Sequence, residues 1–242
     1  MVVSTSSKKV NVLSVVCARQ GSKGLLNKCI ADVGGRMLAQ YAIDYSLSLG
    51  ENVRTVVSTD IDELISYCED RGVKILRRNP AYCSDESKID DALAEAIEQY
   101  GDGCELCSLV YGNIPTRYSH LFEDAVAVLA EDPSFDAAMS MQNVEKYHPA
   151  WMFDYNVDCL PRVKQVHYRR QMLPQKMIHD GHTILFRIDE FISRYKGSRD
   201  YDRAYKYSIF GDTIKPLIND LLIIDIDTEK DLKLATAVLT AK

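Results

Sequence analysis

The feature of this sequence that most constrains its fold is a repeated alternation of short apolar runs with segments of helical periodicity. The first apolar run, Val10 to Cys17, is rich in β-branched residues, which is typical of a strand buried on both faces of a parallel sheet. Apolar residues then recur at helical spacing from Leu38 to Leu49, and Gly50 follows as a helix stop. Repeated strand–helix units predict an α/β protein with a doubly wound, mostly parallel sheet.

The same alternation continues along most of the chain. From Gln142 to Asp180 it breaks into a stretch rich in Pro, Tyr, Arg and His, which predicts an excursion from a single domain that spans residues 1–242. His179 and His182, with a glycine between them, predict a turn. The other predicted strands are Thr55–Ser58, Val73–Leu76, Leu106–Val110, Ala137–Met141 and Leu221–Ile226, regular structure returns at Thr183–Ile188, and the other predicted helices are Asp62–Arg71, Asp90–Tyr100, Leu121–Ala130 and Asp231–Leu239.

The net charge and the cysteine content narrow the classes of partner. The 242 residues carry a formal net charge of -6, and an acidic protein has no general attraction for nucleic acid or for anionic membranes, so we expect neither as a partner. No run of about 18 apolar residues occurs and the first residues lack the pattern of a signal peptide, so we expect no membrane span. Seven cysteines, an odd number, indicate reduced thiols and a cytoplasmic location.

The loop after the first predicted strand combines glycines with three cations, Arg19, Lys23 and Lys28. In doubly wound sheets ligands bind at the carboxyl ends of the strands, and backbone N–H groups together with cations form a cradle for phosphate oxygens. The loop has neither the Walker A pattern nor the dinucleotide-binding G-x-G-x-x-G pattern. A solvated basic turn is the alternative, but the position favours phosphate binding. The residues predicted to bind nucleotide here are Arg19, Gly21, Ser22, Lys23, Gly24 and Lys28.

Two aspartates near the C-terminus, Asp225 and Asp227, predict a magnesium site. They follow an apolar run, and residues i and i+2 of a strand point to the same side of a sheet, here near the basic loop. Two carboxylates on one side repel each other unless a cation lies between them, and Mg²⁺ takes oxygen ligands and bridges to phosphates. Thr228 and Asp231 form a capping-box pattern, so a helix should start there. The alternative is a helix-capping aspartate beside a surface aspartate.

The basic loop and the aspartate pair resemble the acylneuraminate cytidylyltransferase family, which also includes enzymes that activate 3-deoxy-manno-octulosonate and bacterial nonulosonic acids. The family's loop usually reads A-R-x-x-S-K-G-x-x-x-K-N, and this chain keeps the spacing of all three cations, with Cys29 in place of the asparagine. The family's terminal motif, in which two aspartates hold the metal, is similar to the run from Asp225 to Leu232. The resemblance covers residues 10–240 and implies a Rossmann-like nucleotidyltransferase fold.

The activity that this resemblance implies is a direct nucleotidyl transfer. The anomeric hydroxyl of an acidic 2-keto sugar, such as a sialic-acid-like nonulosonic acid, would attack the α-phosphorus of CTP, giving the CMP-sugar and pyrophosphate. Arg19 and Lys23 would clamp the triphosphate, and Lys28 would offset charge near the α-phosphate. Mg²⁺ on Asp225 and Asp227 would polarise the phosphoryl oxygen. The implied catalytic residues are therefore Arg19, Lys28, Asp225 and Asp227.

A middle segment of the chain implies where the sugar binds. Tyr168 to Pro174 resembles the family's R-R-Q-x-L-P segment, and a guanidinium binds the carboxylate of a sugar acid bidentately. The implied sugar-binding residues are Arg170, then Arg169, with Gln171 as a helper and Asp180 in place of the usual asparagine. A solvated arginine pair is the alternative. As in similar enzymes, the excursion at residues 142–180 is implied to contribute to the sugar site and to a homodimer.

Two further segments concern the nucleotide pocket. By the same resemblance, Arg78 and Ser84 are implied to line the base and ribose pocket. In the segment that the family commonly writes L-L-Q-P-T-S-P-x-R, Tyr111 replaces the glutamine and Asn113 replaces the threonine; Tyr111 keeps the glutamine's place among the nucleotide-binding residues. With Cys29, these departures leave two alternatives open. One is a sugar nucleotidyltransferase with a different nucleotide or sugar acid, and the other is a degenerate relative that binds nucleotide without catalysis.

Overall fold

The computed structural model describes residues 9–21, 24–79, 87–152, 169–197 and 209–241. Within these residues the strands are β1 (Val12–Ala18), β2 (Asp32–Val33), β3 (Arg36–Met37), β4 (Val53–Thr59), β5 (Lys74–Arg77), β6 (Leu106–Tyr111), β7 (Ala137–Asn143), β8 (Met177–Arg187) and β9 (Ile214–Ile218). Seven of them form one sheet in the order β5-β4-β1-β6-β8-β7-β9, and β2 and β3 form a separate antiparallel hairpin.

Strand direction decides where a ligand can meet this sheet. Among the described strands, β1 pairs in parallel with β4 and β6, β4 with β5, and β7 with β9, whereas β8 pairs antiparallel with both β6 and β7. All the main-sheet strands except β8 therefore end at one edge, which we call the carboxyl edge. The predicted mostly parallel sheet is confirmed.

Helices cover both faces of the sheet because side chains alternate along its strands. Leu13, Val15 and Cys17 of β1 pack in one cluster with residues of the third and fifth helices. Val12 and Val16 point the other way, towards clusters with residues of the first, second and fourth helices. The helices of the described residues are α1 (Leu38–Ser48), α2 (Asp62–Glu69), α3 (Ile89–Tyr100), α4 (Ser119–Glu131), α5 (Ile188–Gly197) and α6 (Glu229–Thr240), and none of them has the length and apolar character that crossing a bilayer requires.

The strand predicted at Leu221–Ile226 is wrong. This segment makes no ladder with a neighbouring described strand; its backbone N–H groups bond instead to the loop after β6, with Ile224 N donating to Thr116 Oγ1 at 3.0 Å and Ile226 N to Asn113 O at 3.1 Å. The strand beside β7 is β9, which the sequence reading missed. Proline is tolerated in an edge strand but argues against a strand in a sequence, and β9 contains Pro216.

The turn predicted at His179 and His182 is also wrong, because both residues lie within β8. The glycine between them, Gly181, has a φ of +73°, and the pairing of β7 with β8 shifts register between Met139 and Met141. A left-handed glycine at such an irregularity lets one strand bend without ending. The strand therefore continues through a four-residue segment, His179–His182, whose sequence is typical of a turn.

The C-terminal segment is held against the start of the fold. Ile224, Ile226 and Ala235 of α6 pack with Val33 of the hairpin and Leu38 of α1 in one buried cluster. The predicted capping box is confirmed, because the Thr228 backbone N–H donates to the Asp231 carboxylate at 2.9 Å and the Asp231 N–H donates back to Thr228 Oγ1 at 3.4 Å. This anchoring fixes residues 225–227 at the carboxyl edge.

Candidate functional site

The basic loop and the aspartate pair meet at the carboxyl edge, although they lie at opposite ends of the chain. Lys28 Nζ donates to Asp227 Oδ1 at 2.7 Å, across 199 residues of sequence. A Cβ placed on Gly24 would lie 2.5 Å from the Asp227 carbonyl oxygen, so the loop backbone packs directly on the aspartate segment. We call this junction, comprising the described residues 19–21, 24–28 and 225–227, the phosphate edge. It brings together a phosphate-type loop and two carboxylates.

Asp225 is held by a residue whose role the sequence reading missed. The side-chain amide of Asn113, in the loop after β6, donates to Asp225 Oδ1 at 2.5 Å and to the Ile226 carbonyl oxygen at 3.3 Å. The Ile226 backbone N–H donates back to the Asn113 carbonyl oxygen at 3.1 Å. A polar side chain immediately after a central parallel strand was the available signal, since such positions face the carboxyl edge.

The electrostatics of the aspartate pair favour a bound cation. Desolvation and the negative charge of Asp227 together raise the pKa of Asp225 to about 6, and the positive charge of Lys28 opposes the shift. Asp227 is exposed, with 64% of its side chain accessible, whereas only 15% of the side chain of its partner Lys28 is accessible. A carboxylate whose ionised form is disfavoured by a like charge is stabilised by a divalent cation, because the cation interacts with that ionised form.

One cavity joins the predicted nucleotide-binding residues. Arg19, Lys28, Arg78 and Tyr111 line a cavity of about 170 Å³ together with Cys29 at the phosphate edge. Arg78 is only 6% exposed, its Nε donates to Ser58 Oγ at 3.3 Å, and its Nη2 has no hydrogen-bond partner among the described residues. A buried guanidinium with an unused donor suits an anionic or carbonyl oxygen of a ligand.

Cys29, at the position where the family usually has asparagine, presents a neutral thiol to this cavity. Burial raises the pKa of Cys29 to about 11, although the nearby charges of Lys28 and Arg78 oppose the shift. A thiol is a weak hydrogen-bond donor, whereas an asparagine amide has two N–H donors and a strong acceptor oxygen. This part of the cavity therefore has less hydrogen-bonding capacity than an asparagine would give it.

Arg117 hydrogen-bonds to the backbone around the loop after β6. Its guanidinium donates to the carbonyl oxygens of Ile114 at 2.9 Å and His182 at 3.0 Å, and also to the carbonyl oxygen of Tyr111. Burial lowers the pKa of Arg117 to about 10, so the side chain stays charged at neutral pH. These bonds fasten the loop after β6 to β8, and with it the residues Tyr111 and Asn113.

The predicted sugar-binding residues do not form a comparable set. The Asp180 carboxylate accepts hydrogen bonds from the Ser140 hydroxyl, from the His182 backbone N–H at 3.0 Å and from Asn219 Nδ2 at 2.9 Å. These bonds tie β7, β8 and the segment after β9 together. Gln171, within the 3-10 turn Arg170–Met172, and Arg169, just before it, are exposed. Four further predictions, Ser22, Lys23, Ser84 and the side chain of Arg170, lie outside the described residues.

The fold and the phosphate edge together define a class of protein. It is a doubly wound α/β protein whose carboxyl edge pairs a basic glycine loop with two carboxylates, an arrangement that suits a metal-bound phosphate group. A family described as cytidylyltransferase matches residues 13–239. The chain belongs to this cytidylyltransferase family, and the family predicted from its motifs is confirmed.

Curated relatives match nearly the whole chain or its larger part. The N-acylneuraminate cytidylyltransferase of Streptococcus agalactiae serotype V is 26% identical over 226 residues, which cover 90% of this chain and 51% of that protein. The 3-deoxy-manno-octulosonate cytidylyltransferase of Polynucleobacter asymbioticus is 29% identical over 132 residues, which cover 54% of this chain and 50% of that protein. The chain thus spans about half the length of the curated relatives it matches.

Solved structures share the fold. The CMP:2-keto-3-deoxy-manno-octonic acid synthetase complexed with CTP superposes with a TM-score of 0.72 at 17% identity, over 95% of this chain and 98% of that chain. The 4-diphosphocytidyl-2C-methyl-D-erythritol synthase from Anaerococcus prevotii superposes with a TM-score of 0.70 at 15% identity, over 97% of this chain and 100% of that chain. At such identities the likeness shows the fold alone.

Proposed function

We propose that this chain transfers CMP from CTP to the anomeric hydroxyl of an acidic 2-keto sugar and releases pyrophosphate. The observation that carries the proposal is the contact of Lys28 with Asp227, at 2.7 Å, because it joins the phosphate-type loop to the carboxylate pair. One triphosphate could then contact both at once. Family membership over residues 13–239 supports the cytidylyl group as the one transferred.

The sugar acid that we propose is a sialic-acid-like nonulosonic acid. The relatives named for N-acylneuraminate match 90% of this chain, whereas the relative named for 3-deoxy-manno-octulosonate matches 54% of it. The octulosonate is the second candidate, supported by the TM-score of 0.72 with the synthetase of that acid. Both acids carry a carboxylate, so Arg169 or Arg170 suits either of them.

Magnesium is the cofactor that fits the residues present. Asp225 and Asp227 offer hard oxygen ligands, and Mg²⁺ is commonly bound by one or two carboxylates together with substrate phosphates. The raised pKa of Asp225 reflects burial and the neighbouring negative charge, and a cation held by both carboxylates would relieve that repulsion. When bound, Mg²⁺ would polarise the phosphoryl oxygen and neutralise developing negative charge.

The chain's own residues would act by positioning and by charge neutralisation. Arg19 and Lys28 line the cavity with their positive charges and would balance the triphosphate. Arg78 would donate its unused Nη2–H groups to an oxygen of the nucleotide. Tyr111 lines the same cavity and would contact the base or ribose. Catalysis of this kind needs no protein nucleophile, since the sugar hydroxyl attacks phosphorus directly.

The sugar side and the partner subunit complete the proposal. Arg170, Arg169, Gln171 and Asp180 would bind the sugar acid, with residues 142–180 acting as an arm in a cytoplasmic homodimer. Exposed apolar side chains that include Tyr147, Met152 and Ile178 line a groove of about 740 Å³ between the end of β7 and the start of β8. A contiguous exposed apolar groove supports a protein interface at the arm.

Pyrophosphate release with CTP, Mg²⁺ and a panel of sugar acids tests the function, with the CMP-sugar identified by mass spectrometry. We expect product with a nonulosonic acid, and a loss of at least about 100-fold in Asp225→Asn. Asp124→Asn, an exposed change on α4, is the matched control and should keep full activity. Product with UTP or dTTP and none with CTP would overturn the cytidylyl assignment. Nucleotide binding without pyrophosphate release from any acid would indicate the degenerate relative.

A further inference from the structure

Asn113 makes a paired contact with the aspartate segment that the activity alone does not require. Its side-chain amide donates to Asp225 Oδ1 and to the Ile226 carbonyl oxygen, at 2.5 Å and 3.3 Å. Its own carbonyl oxygen accepts from the Ile226 backbone N–H at 3.1 Å. The side-chain contact can therefore be removed by substitution while the backbone bond to Ile226 is kept.

The carboxylate that receives this amide needs an orienting partner. Asp225 is exposed at the surface, but partial desolvation and the negative charge of Asp227 both disfavour its ionised form and raise its pKa. Oδ1 is bonded to the Asn113 amide, whereas Oδ2 accepts no hydrogen bond from the described residues. A donor on one oxygen restricts rotation about the last side-chain torsion, so the other oxygen is presented in a defined direction.

The residue type matters for this contact. An asparagine amide carries two N–H donors, which here bond to the carboxylate and to a backbone carbonyl. The threonine that the resembling family commonly has at this position offers one shorter hydroxyl donor. Asn113 can thus hold the side chain of Asp225 and the backbone of Ile226 at the same time, which a single hydroxyl cannot do.

We propose that Asn113 is a positioning residue that orients Asp225 for the metal–nucleotide complex. The proposal rests on the proposed function, because it assumes that Asp225 binds a divalent cation. Asn113 also lines the cavity at the phosphate edge, but the role proposed for it is exerted through its bond to Asp225. Partners that orient a ligand carboxylate typically contribute about 10-fold to 100-fold in metal affinity. Loss of the amide should therefore lower the affinity for the metal ion more than it lowers the affinity for the nucleotide.

The test measures Mn²⁺ binding directly, by electron paramagnetic resonance of the free ion, in the presence of CTP and without sugar. We expect Asn113→Ala to weaken Mn²⁺ binding about 10-fold or more, and Asn113→Thr to restore part of the loss. The metal concentration for half-maximal pyrophosphate release should rise in parallel, with the KM for CTP little changed at saturating metal. Asn11→Ala is the matched control. Asn11 lies just before β1, and its side-chain amide donates a comparable hydrogen bond to the Gly103 carbonyl oxygen. This variant should bind Mn²⁺ as the parent does.

The outcomes separate this proposal from the proposed function. If the parent binds Mn²⁺, Asp225→Asn weakens the binding and Asn113→Ala does not, the positioning role is wrong and the metal site stands. If Asn113→Ala lowers the Tm and kcat while the Mn²⁺ affinity stays that of the parent, Asn113 is only structural and the proposal is again wrong. If Mn²⁺ binding is absent, or is unaffected by Asp225→Asn, both the metal site and its positioning residue are wrong.

Discussion

The phosphate edge and the residues proposed to bind the sugar acid (Arg169, Arg170, Gln171 and Asp180, which we call the sugar side) are built in different ways. At the phosphate edge, residues from both ends of the chain touch, as Lys28 does with Asp227 across 199 residues. On the sugar side, the Asp180 carboxylate bonds to three partners inside the fold, whereas Arg169 and Gln171 are exposed. The difference teaches that residues following parallel strands are brought together at one edge of the sheet by the strand directions alone. Residues on excursions depend on further packing.

Replacing Lys28 should have the largest effect, and it tests whether the phosphate edge is a working unit. Lys28→Met removes a cation that lines the cavity at the phosphate edge and pairs with Asp227. We expect kcat/KM in the pyrophosphate-release assay to fall about 100-fold to 1,000-fold, as when one electrostatic contact to a transition state is lost. Lys74→Met, at the exposed amino end of β5, should be neutral. Equal activity of the two variants would mean that the phosphate edge does not bind the substrate.

The packing of the two chain ends at the phosphate edge can be tested separately from charge. In Gly24→Ala the new Cβ would lie 2.5 Å from the Asp227 carbonyl oxygen, so the loop or the aspartate segment must shift. We expect kcat/KM to fall about 10-fold or more, because small displacements of positioning groups are costly. Gly103→Ala, at a positive φ of +73° that Gly24 does not share, has no atom within 4 Å of the added Cβ and should cost only about 1 kcal/mol of stability. A Gly24→Ala enzyme as active as the Gly103→Ala control would contradict the close contact.

The pH dependence of stability tests the connection between the two regions through His182. Its Nε2 accepts from the Tyr118 backbone N–H at 2.8 Å, and burial, with the charge of Arg117 adding to it, lowers the pKa of His182 to about 3. Because an unfolded histidine has a pKa of about 6.5, the unfolded chain takes up a proton below that pH and the folded chain does not. Stability is therefore complete above pH 6.5 and falls as the pH drops towards 3.

Between pH 7 and pH 5, this residue alone should remove about 2 kcal/mol from the free energy of unfolding. Urea denaturation at both pH values measures the difference. His182→Gln should lower the stability at pH 7 and flatten the pH dependence. An unchanged pH slope in that variant would show that His182 does not contribute to it.

Replacing Asp180 should have the smallest effect, and it tests whether this residue stabilises the fold or binds the sugar acid. Asp180 Oδ1 accepts from Ser140 and from the His182 N–H, and Oδ2 accepts from Asn219. In Asp180→Asn an NH₂ group replaces one of these two oxygens and cannot accept the bonds made there. We expect a loss of about 1 kcal/mol in urea denaturation, the usual scale of a hydrogen bond. If Asp180 is mainly structural, the KM for the sugar acid stays that of the parent. A raised KM with unchanged stability would instead support the sugar-binding role predicted for Asp180.

Most of the fold could be predicted because its signals are local. The apolar run of β1 predicts a buried strand, the periodic apolar residues of α1 predict a helix, and glycines mark where several helices end. The missed strand β9 contains Pro216, and the false strand at Leu221–Ile226 has the apolar content of a real one. Residues 214–218 form a strand because they pair with β7, and residues 221–226 do not, because their N–H groups bond to the loop after β6. Neither can be read from local sequence.

The sequence alone determined the class of fold, the basic loop and the pair of aspartates, since each depends on residues close together in the chain. The predicted strand is absent, but buried and exposed residues still alternate around Asp225 and Asp227, because Ile224 and Ile226 are buried without being part of a strand. Only the tertiary structure decided that Asn113 bonds to Asp225, that Arg117 fastens the loop after β6, and that the carboxylate of Asp180 is used within the fold. These contacts join residues tens of positions apart or more, and hydrogen-bond geometry between such residues is fixed by packing rather than by sequence pattern.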